Sequence, residues 1–219
     1  MHPQPVQRRL EPELLDSLPP DHPDALLSRR ELRVINRVMG NARWFRSVLA
    51  SRVRPGERVL ELGSGAGELA AYLRPVSPLF DGIDRVPRPT TWPADARWHQ
   101  ADINVFTGWN DYPVVIGNLI LHHFDDTALR ALGNVISPHA RLLVFSETTR
   151  QRFNQRFWNV VAPLCGANRV TQHDGSVSIA AGFCGEELPH LLGLDPSVWR
   201  WHITSTWLGA YRLIAERRA

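Results

Sequence analysis

The chain has 219 residues, a length typical of one domain of ordinary size. Hydrophobic residues make up 43% and charged residues 21%, a globular composition that excludes a wholly disordered chain. No uninterrupted apolar run approaches the ~20 residues of a membrane span, and the N-terminus lacks the apolar core of a secretory signal. We therefore expect a cytoplasmic protein without a membrane span.

The charged residues do not form the pattern of a nucleic-acid-binding protein. All 25 basic residues are arginines, but the formal net charge is only +3 and no basic run exceeds an arginine pair. Nucleic acid is therefore not an expected partner. The two cysteines, Cys165 and Cys184, have neither CxxC nor metal-ligand spacing, so we predict reduced thiols and no metal site.

The N-terminal region changes from a proline-rich segment to a helical pattern. Residues 1–23 contain six prolines, which predicts an irregular arm. Apolar residues then recur at helical spacing from Asp24 to Met39, and a second helix is predicted from Ala42 to about Val53. We predict that residues 1–54 form an arm and a helical cap, and that residues 55–219 form the core of a single structural domain.

Strand and helix patterns alternate through the middle of the chain. Short apolar runs predict strands at 58–63, 78–84, 96–102, 113–121 and 141–147. Helical patterns at 68–74 and 125–136 lie between them. This alternation predicts a parallel, doubly wound α/β sheet.

The C-terminal region has a different pattern. A helix is predicted at 152–164, a polar stretch follows at 167–178, and a short helix is predicted near 186–192. Residues 198–216 predict two β-segments joined near Leu208 and Gly209.

The strongest motif is the run VLELGSGAGEL at residues 59–69, where the first strand ends and a helix begins. Gly63, Gly65 and Gly67 permit a tight turn and the close approach of a ligand. A dinucleotide fingerprint would have its third glycine at Glu68, and a phosphate-binding Walker loop needs a lysine, which the chain lacks. The spacing G-x-G-x-G after Glu61 differs from both.

The segment ELGSGAG resembles motif I of the class I S-adenosylmethionine-dependent methyltransferases. The resemblance covers residues 56–147 well, the C-terminal third loosely and the N-terminal helices least. It implies a Rossmann-like, doubly wound sheet of seven strands with a reversed last strand, preceded by an N-terminal helical cap. It also implies S-adenosylmethionine as the cofactor.

The same resemblance implies roles for acidic residues at the strand ends. Asp84 ends the second strand, where an acid can accept hydrogen bonds from both ribose hydroxyls. Asp102 would bind the adenine amino group, the Ile103 amide would contact the ring, and Glu61 would help to hold the ammonium group. The predicted cofactor residues are Glu61, Gly63, Ser64, Gly65, Gly67, Asp84, Arg85, Asp102, Ile103 and Asn118.

The segments after the fourth and fifth strands carry the candidate catalytic residues. The [ND]-P-P-[YF] motif of enzymes that methylate nucleobase amines is absent, and GNLILHHFDD (117–126) resembles small-molecule methyltransferases with an LHH segment. Some of these use a histidine here as general base, a role that an imidazole pKa near ~6.5 suits. We predict that His123, or alternatively His122, is the base and that Glu147 orients the imidazole.

Residues 28–49 loosely resemble the N-terminus of methyltransferases that accompany bacterial polyketide and aromatic-lipid pathways. The resemblance implies that Asn41 and Trp44 lie over the cofactor and that the acceptor is a phenolic or polyketide-like hydroxyl. His173, in the polar stretch, is a further candidate for substrate contact.

O-methylation of a small molecule is the preferred prediction. C-methylation of a quinone-like or enolic ring needs the same base and stays open. An RNA methyltransferase and a non-catalytic cofactor-binding protein are less favoured.

Overall fold

One seven-stranded sheet organises the chain, of which the computed structural model describes residues 7–218. The strands are β1 (Val59–Leu62), β2 (Phe80–Asp84), β3 (Trp98–Gln100), β4 (Val114–Asn118), β5 (Leu142–Thr148), β6 (Trp199–Ser205) and β7 (Ala210–Arg217). Their order across the sheet is β3-β2-β1-β4-β5-β7-β6, and β7 runs antiparallel to both of its neighbours. This topology confirms the predicted doubly wound sheet with a reversed last strand.

Helices cover both faces of the sheet. The α-helices in the described residues are α1 (Leu14–Ser17), α2 (Pro23–Met39), α3 (Asn41–Arg52), α4 (Glu68–Leu73), α5 (Asp126–Ile136), α6 (Arg152–Leu164), α7 (Arg169–Ala181) and α8 (Glu187–Leu191). Because side chains alternate along a strand, Val59 packs with α3 and α4, whereas Leu60 and Leu62 pack with α5 and α8. The two resulting cores leave the carboxyl ends of the parallel strands as the open edge of the sheet.

The polar stretch at 167–178 is not irregular, as the sequence pattern suggested, but begins α7. The Asn168 side chain caps this helix by accepting a hydrogen bond from the Thr171 amide at 2.9 Å. Its buried residues are Val170, Val177 and Ala181 together with the polar Thr171 and Asp174. Because only three apolar residues recur on the buried face, the helical periodicity of hydrophobic residues is weak in this part of the sequence.

Within residues 7–22 the proline-rich arm is irregular except for the single-turn helix α1, and residues 1–6 of the predicted arm lie outside the described residues. The first amides of that turn, from Leu14 and Leu15, donate to the buried carboxylate of Asp174 at 2.8 and 2.9 Å. The arm is thereby attached to α7. The predicted division of the chain at residue 55 stays a prediction. Among residues 7–218, no helix combines the length and the apolar character needed to cross a membrane.

Helix α5 packs closely against the end of α8 at Gly133. A Cβ atom placed on Gly133 would lie 1.8 Å from the carbonyl oxygen of Leu192, so only glycine fits there. Alanine favours an isolated helix over glycine by ~1 kcal/mol, but a backbone collision in a packed core costs more.

We therefore expect Gly133→Ala to lower the free energy of unfolding by about 1–3 kcal/mol. Urea unfolding followed by circular dichroism measures the change. Asn134→Ala is the matched control, because Asn134 is the exposed neighbour on the same helix. Equal stability of both variants would contradict the close packing of α5 on α8.

Candidate active site

The glycine loop lies where β1 ends, and its three glycines serve different purposes. All have positive φ values: 64° at Gly63, 51° at Gly65 and 77° at Gly67. A Cβ on Gly63 would collide with Ile120 and one on Gly67 with Trp92, so these two permit close internal packing. A Cβ on Gly65 would meet no atom within 4 Å. The backbone at Gly65 therefore borders open space, where a ligand can approach.

Glu61 is a buried carboxyl group beside this loop. Its side chain is 4% exposed, and burial raises its pKa well above the usual value. The Oε2 atom has no hydrogen-bond partner among the described residues, whereas the Ser64 hydroxyl donates to the Glu61 backbone carbonyl at 3.0 Å. A buried polar atom without a partner is rare, so Glu61 is poised to receive a donor from a ligand.

Asp84 and Asp102 lie at the ends of neighbouring strands. The Asp84 carboxylate accepts a hydrogen bond from the Gly65 amide at 2.8 Å, which ties the end of β2 to the glycine loop. Asp102 accepts from the Asn104 amide at 2.8 Å and forms an ion pair with Arg85. These contacts, the backbone hydrogen bond first, lower the pKa of Asp102. Asp102 is therefore an acceptor at neutral pH.

Ile103 follows Asp102 as the first residue of a short 3-10 helix, Ile103–Val105, and its side chain is buried. The backbone amide of a first helical residue is not used by the helix itself. It is therefore available to a neighbouring ligand.

The helical cap reaches the sheet at the end of β4. Nδ2 of Asn41 donates to Oδ1 of Asn118 at 2.9 Å, and Nδ2 of Asn118 donates to Asn36 at 3.3 Å. Trp44 is half-buried and lies under the Arg212 guanidinium, whose central carbon is 5.2 Å from the ring centroid. Asn41 is therefore joined to a predicted cofactor residue, whereas Trp44 faces a different neighbour.

A strained turn follows β4 and carries the two histidines. Leu119 has a φ of 56°, a conformation that costs a non-glycine residue about 1–2 kcal/mol. The turn is held by the fully buried carboxylate of Glu147, which accepts hydrogen bonds from the amides of Ile120 at 3.1 Å, Leu121 at 2.8 Å and His122 at 3.4 Å. Glu147 at the end of β5 therefore shapes the backbone around the candidate base.

His122 lies between two carboxylates. Its Nδ1 is 2.7 Å from Oε2 of Glu147, and its Nε2 is 3.6 Å from Oε1 of Glu13. Burial alone would lower the pKa of His122, but the hydrogen bonds to Glu13 and Glu147 outweigh it and raise the pKa to about 9. His122 is therefore a cation at neutral pH, with no lone pair for an acceptor proton. Glu147 contacts this ring and not that of His123.

His123 has the opposite character. Its side chain is exposed, and its ring centroid is 4.3 Å from that of His122. Partial desolvation, followed by the positive charge of His122, lowers the pKa of His123. Two adjacent histidines thus differ in charge at neutral pH, and His123 is the one with a free lone pair.

The N-terminal arm supplies two residues that the sequence did not reveal. Arg8 donates hydrogen bonds to the carbonyls of His122 at 3.2 Å and Phe124 at 2.7 Å. Glu13 faces His122 and accepts a hydrogen bond from the Ser178 hydroxyl. No motif could have identified them, because their partners lie far away in the chain.

His173 lies on α7 rather than in a loop. Its Nδ1 is 2.9 Å from the Asp174 carboxylate, and its side chain lines a depression of about 340 Å³ between α6 and α7. It makes no hydrogen bond to His122 or Glu147 within the described part of the chain. His173 is therefore separated from the histidine pair in the hydrogen-bond network.

Comparison with known proteins identifies the fold. No protein-family model matches the sequence, and no curated protein is similar to it. Solved structures do match. The plantazolicin methyltransferase BpumL, in complex with a triazolic desmethylPZN analog and SAH, has a TM-score of 0.71 at 12% identity, over 94% of this chain and 93% of that one. This chain has the class I methyltransferase fold.

Two further structures agree. Magnesium protoporphyrin IX methyltransferase (ChlM) from Synechocystis PCC 6803 with bound SAM has a TM-score of 0.57 at 17% identity, over 88% of this chain and 84% of that one. The N-methyltransferase NodS from Bradyrhizobium japonicum WM9 in complex with SAH has a TM-score of 0.51 at 15% identity, over 90% and 89%. The methyltransferase fold confirms the resemblance seen in ELGSGAG.

The His122 ion pairs predict a pH-dependent stability. The pKa of His122 is about 9 in the folded chain and near ~6.5 in an unfolded one, so the folded state binds the proton more tightly. The stabilisation is complete below about pH 6.5 and is lost as the pH rises through about 9. We expect urea-unfolding free energies to fall across this window in the native chain and to change less in His122→Gln.

Glu13→Gln tests the same ion pair with a milder change and should also reduce the slope of stability against pH. His190→Gln is the control, because His190 is an exposed histidine away from this cluster. Equal slopes in the native chain and in both cluster variants would contradict a charged His122.

Proposed function

We propose that the chain is an S-adenosylmethionine-dependent methyltransferase that acts on a small organic acceptor. A ligand crevice is expected at the carboxyl ends of the parallel strands, and the observation that carries the proposal is that the open backbone at Gly65 lies there with Glu61 and Asp84. The fold supports it, and structures of BpumL, ChlM and NodS contain SAM or SAH. BpumL and ChlM are named for small-molecule or peptide-derived substrates, which favours an acceptor of that kind.

The residues around the crevice fit the cofactor. The unpartnered Oε2 of Glu61 suits its ammonium group, and the Asp84 carboxylate, held in place by the Gly65 amide, suits the ribose hydroxyls. Asp102 and the Ile103 amide suit the adenine, and Arg85 orients Asp102 through their ion pair. The bound cofactor would supply an electrophilic sulfonium methyl group.

We propose His123 as the general base. Its lowered pKa leaves the ring unprotonated at neutral pH, so it can take the proton of an acceptor hydroxyl as the oxygen becomes a nucleophile. His122, held as a cation by Glu13 and Glu147, positions the turn and keeps the neighbouring ring neutral. These roles favour O-methylation of a phenolic or polyketide-like hydroxyl.

A base of this kind also serves C-methylation of an enolic or quinol ring, because the same O–H proton must be removed.

Asn41 is proposed as a cap residue over the cofactor, since it is hydrogen-bonded to Asn118. Trp44 and His173 stay predicted substrate contacts. Each lines a different surface depression outside the histidine network.

Asp84→Asn should weaken binding of S-adenosylhomocysteine by ~1.5–3 kcal/mol, about 10- to 150-fold, because a charge-assisted acceptor is lost. Isothermal titration calorimetry measures the affinity, and Asp195→Asn is the control at an exposed carboxylate outside the crevice. Unchanged affinity in Asp84→Asn would overturn the ribose assignment. Binding of NADH in place of S-adenosylhomocysteine would overturn the cofactor.

His123→Ala should lower turnover by about 10²–10⁴-fold while leaving the affinity for S-adenosylhomocysteine unchanged. Turnover is measured as S-adenosylhomocysteine release with phenols, polyketide-like acids and quinols as acceptors. In the native enzyme, kcat/KM should be constant at neutral pH and should fall below the lowered pKa of His123. His190→Ala is the matched control, and native turnover in His123→Ala would rule out the proposed base.

A further inference from the structure

Helix α6 exposes a continuous apolar face. Phe153, Phe157, Val160 and Leu164 are spaced by four, three and four residues, which places them on one narrow side of the helix. Their exposed fractions are 66%, 44%, 59% and 80%, and the two phenylalanine rings stack with centroids 6.0 Å apart. We call these four residues the α6 stripe. Single exposed apolar residues are common on protein surfaces, but a continuous row of large apolar side chains in contact with water indicates a surface that binds a partner.

The opposite side of α6 is already used for packing within the chain. Asn154 and Ala162 are buried, and the Trp158 indole donates to the carbonyl of Gln172 on α7 at 2.9 Å. The helix therefore lies on α7 through one face and presents the α6 stripe outward. No described element covers that stripe, since each of its members remains exposed.

The surroundings of the α6 stripe are positively charged. Arg152 and Arg156 lie along one flank of the stripe, Arg169 begins α7, and all three are exposed. None of the three forms an ion pair with a residue in the range 7–218. The sequence between Glu147 and Asp174 contains no acidic residue. An apolar stripe beside arginines without ion-pair partners is complementary to a partner surface with an apolar interior and anionic groups at its boundary with water.

Trp207 is a further exposed aromatic residue, close to the first turn of α6 but beside the helical cap. It lies in the turn between β6 and β7 and is 78% exposed. The turn contacts the start of α6: the Thr149 amide donates to the Gly209 carbonyl at 2.8 Å, and a Cβ on Gly209 would lie 3.5 Å from Nδ2 of Asn154. An exposed tryptophan near the first turn of α6 suits a lipid headgroup region, where amphipathic rings concentrate.

A second copy of the chain is a poorer occupant than a lipid surface. Two α6 stripes facing each other would place the arginine flank of each chain against a helix that carries arginines and no acid. With no acid in α6, that contact would leave like charges unpaired. Amphipathic helices with aromatic residues on one face and arginines on the flank bind anionic lipid interfaces.

We propose that the α6 stripe docks the protein on an anionic lipid surface. The apolar side chains enter the interface while Arg152, Arg156 and Arg169 contact the anionic headgroups. Only residues 149–151 connect α6 to β5, whose end carries Glu147, so docking would fix the orientation of the candidate active site relative to the membrane.

The test is co-sedimentation of the full chain with phosphatidylcholine vesicles that contain or lack phosphatidylglycerol. We expect the native protein to sediment with the anionic vesicles, to bind them less at high salt, and to bind neutral vesicles weakly. Phe153→Ser/Phe157→Ser should reduce partitioning by at least about tenfold, because two rings no longer enter the interface. Arg152→Gln/Arg156→Gln should reduce binding to anionic vesicles only.

Val135→Ser is the matched control, since Val135 is an exposed valine on α5 and outside the α6 stripe. Native thermal midpoints and unchanged S-adenosylhomocysteine binding in each variant establish that the fold and the proposed function are intact. Native protein that stays in the supernatant with both vesicle types overturns the proposal. Equal sedimentation of the phenylalanine variant, or a lipid-free dimer that this variant abolishes, overturns it too.

Discussion

The buried carboxylate of Glu147 is the interaction on which the candidate active site depends. A carboxylate without solvent contact is costly unless its oxygens are fully hydrogen-bonded. Here three consecutive backbone amides and the His122 ring supply those hydrogen bonds. The consequence is a turn after β4 that tolerates the strained backbone of Leu119 and presents two histidines in a defined orientation. Through these hydrogen bonds, one acid at the end of β5 holds the turn that carries the histidines.

The same network gives two adjacent and chemically identical side chains different charge states, one cationic and one neutral. His122 is protonated because two carboxylates outweigh its burial, and that charge, together with desolvation, keeps His123 neutral. Separation of the pKa values of neighbouring groups is how active sites assign acid and base roles. The second carboxylate, Glu13, comes from the N-terminal arm, so the charge of His122 also depends on how that arm packs.

The arm and the α6–α7 pair form the side of the molecule next to this network. Arg8 and Glu13 bind the histidine turn and α7, while Asp174 holds the amides of α1. Residues that pack the arm therefore also contact the turn that carries the candidate base. Helix α6 packs on the outer side of α7 and exposes the α6 stripe and its flanking arginines. Helix α7 therefore lies between the candidate base and the proposed lipid surface.

Local sequence determined the architecture of the sheet and the position of the crevice. Three features could be recognised in the sequence: the alternating apolar runs, the loop from Gly63 to Gly67, and the acids Asp84 and Asp102. They could be recognised because the carboxyl ends of parallel strands lie at one edge of the sheet, and because few kinds of binding site use a glycine-rich loop after a strand. The sequence does not predict α7, because few apolar residues recur at helical spacing on its buried face. The tertiary structure alone decided the charge of His122, which of the two histidines contacts Glu147, and the part played by Glu13. They depend on burial and on distances between residues far apart in the chain, which no local pattern encodes.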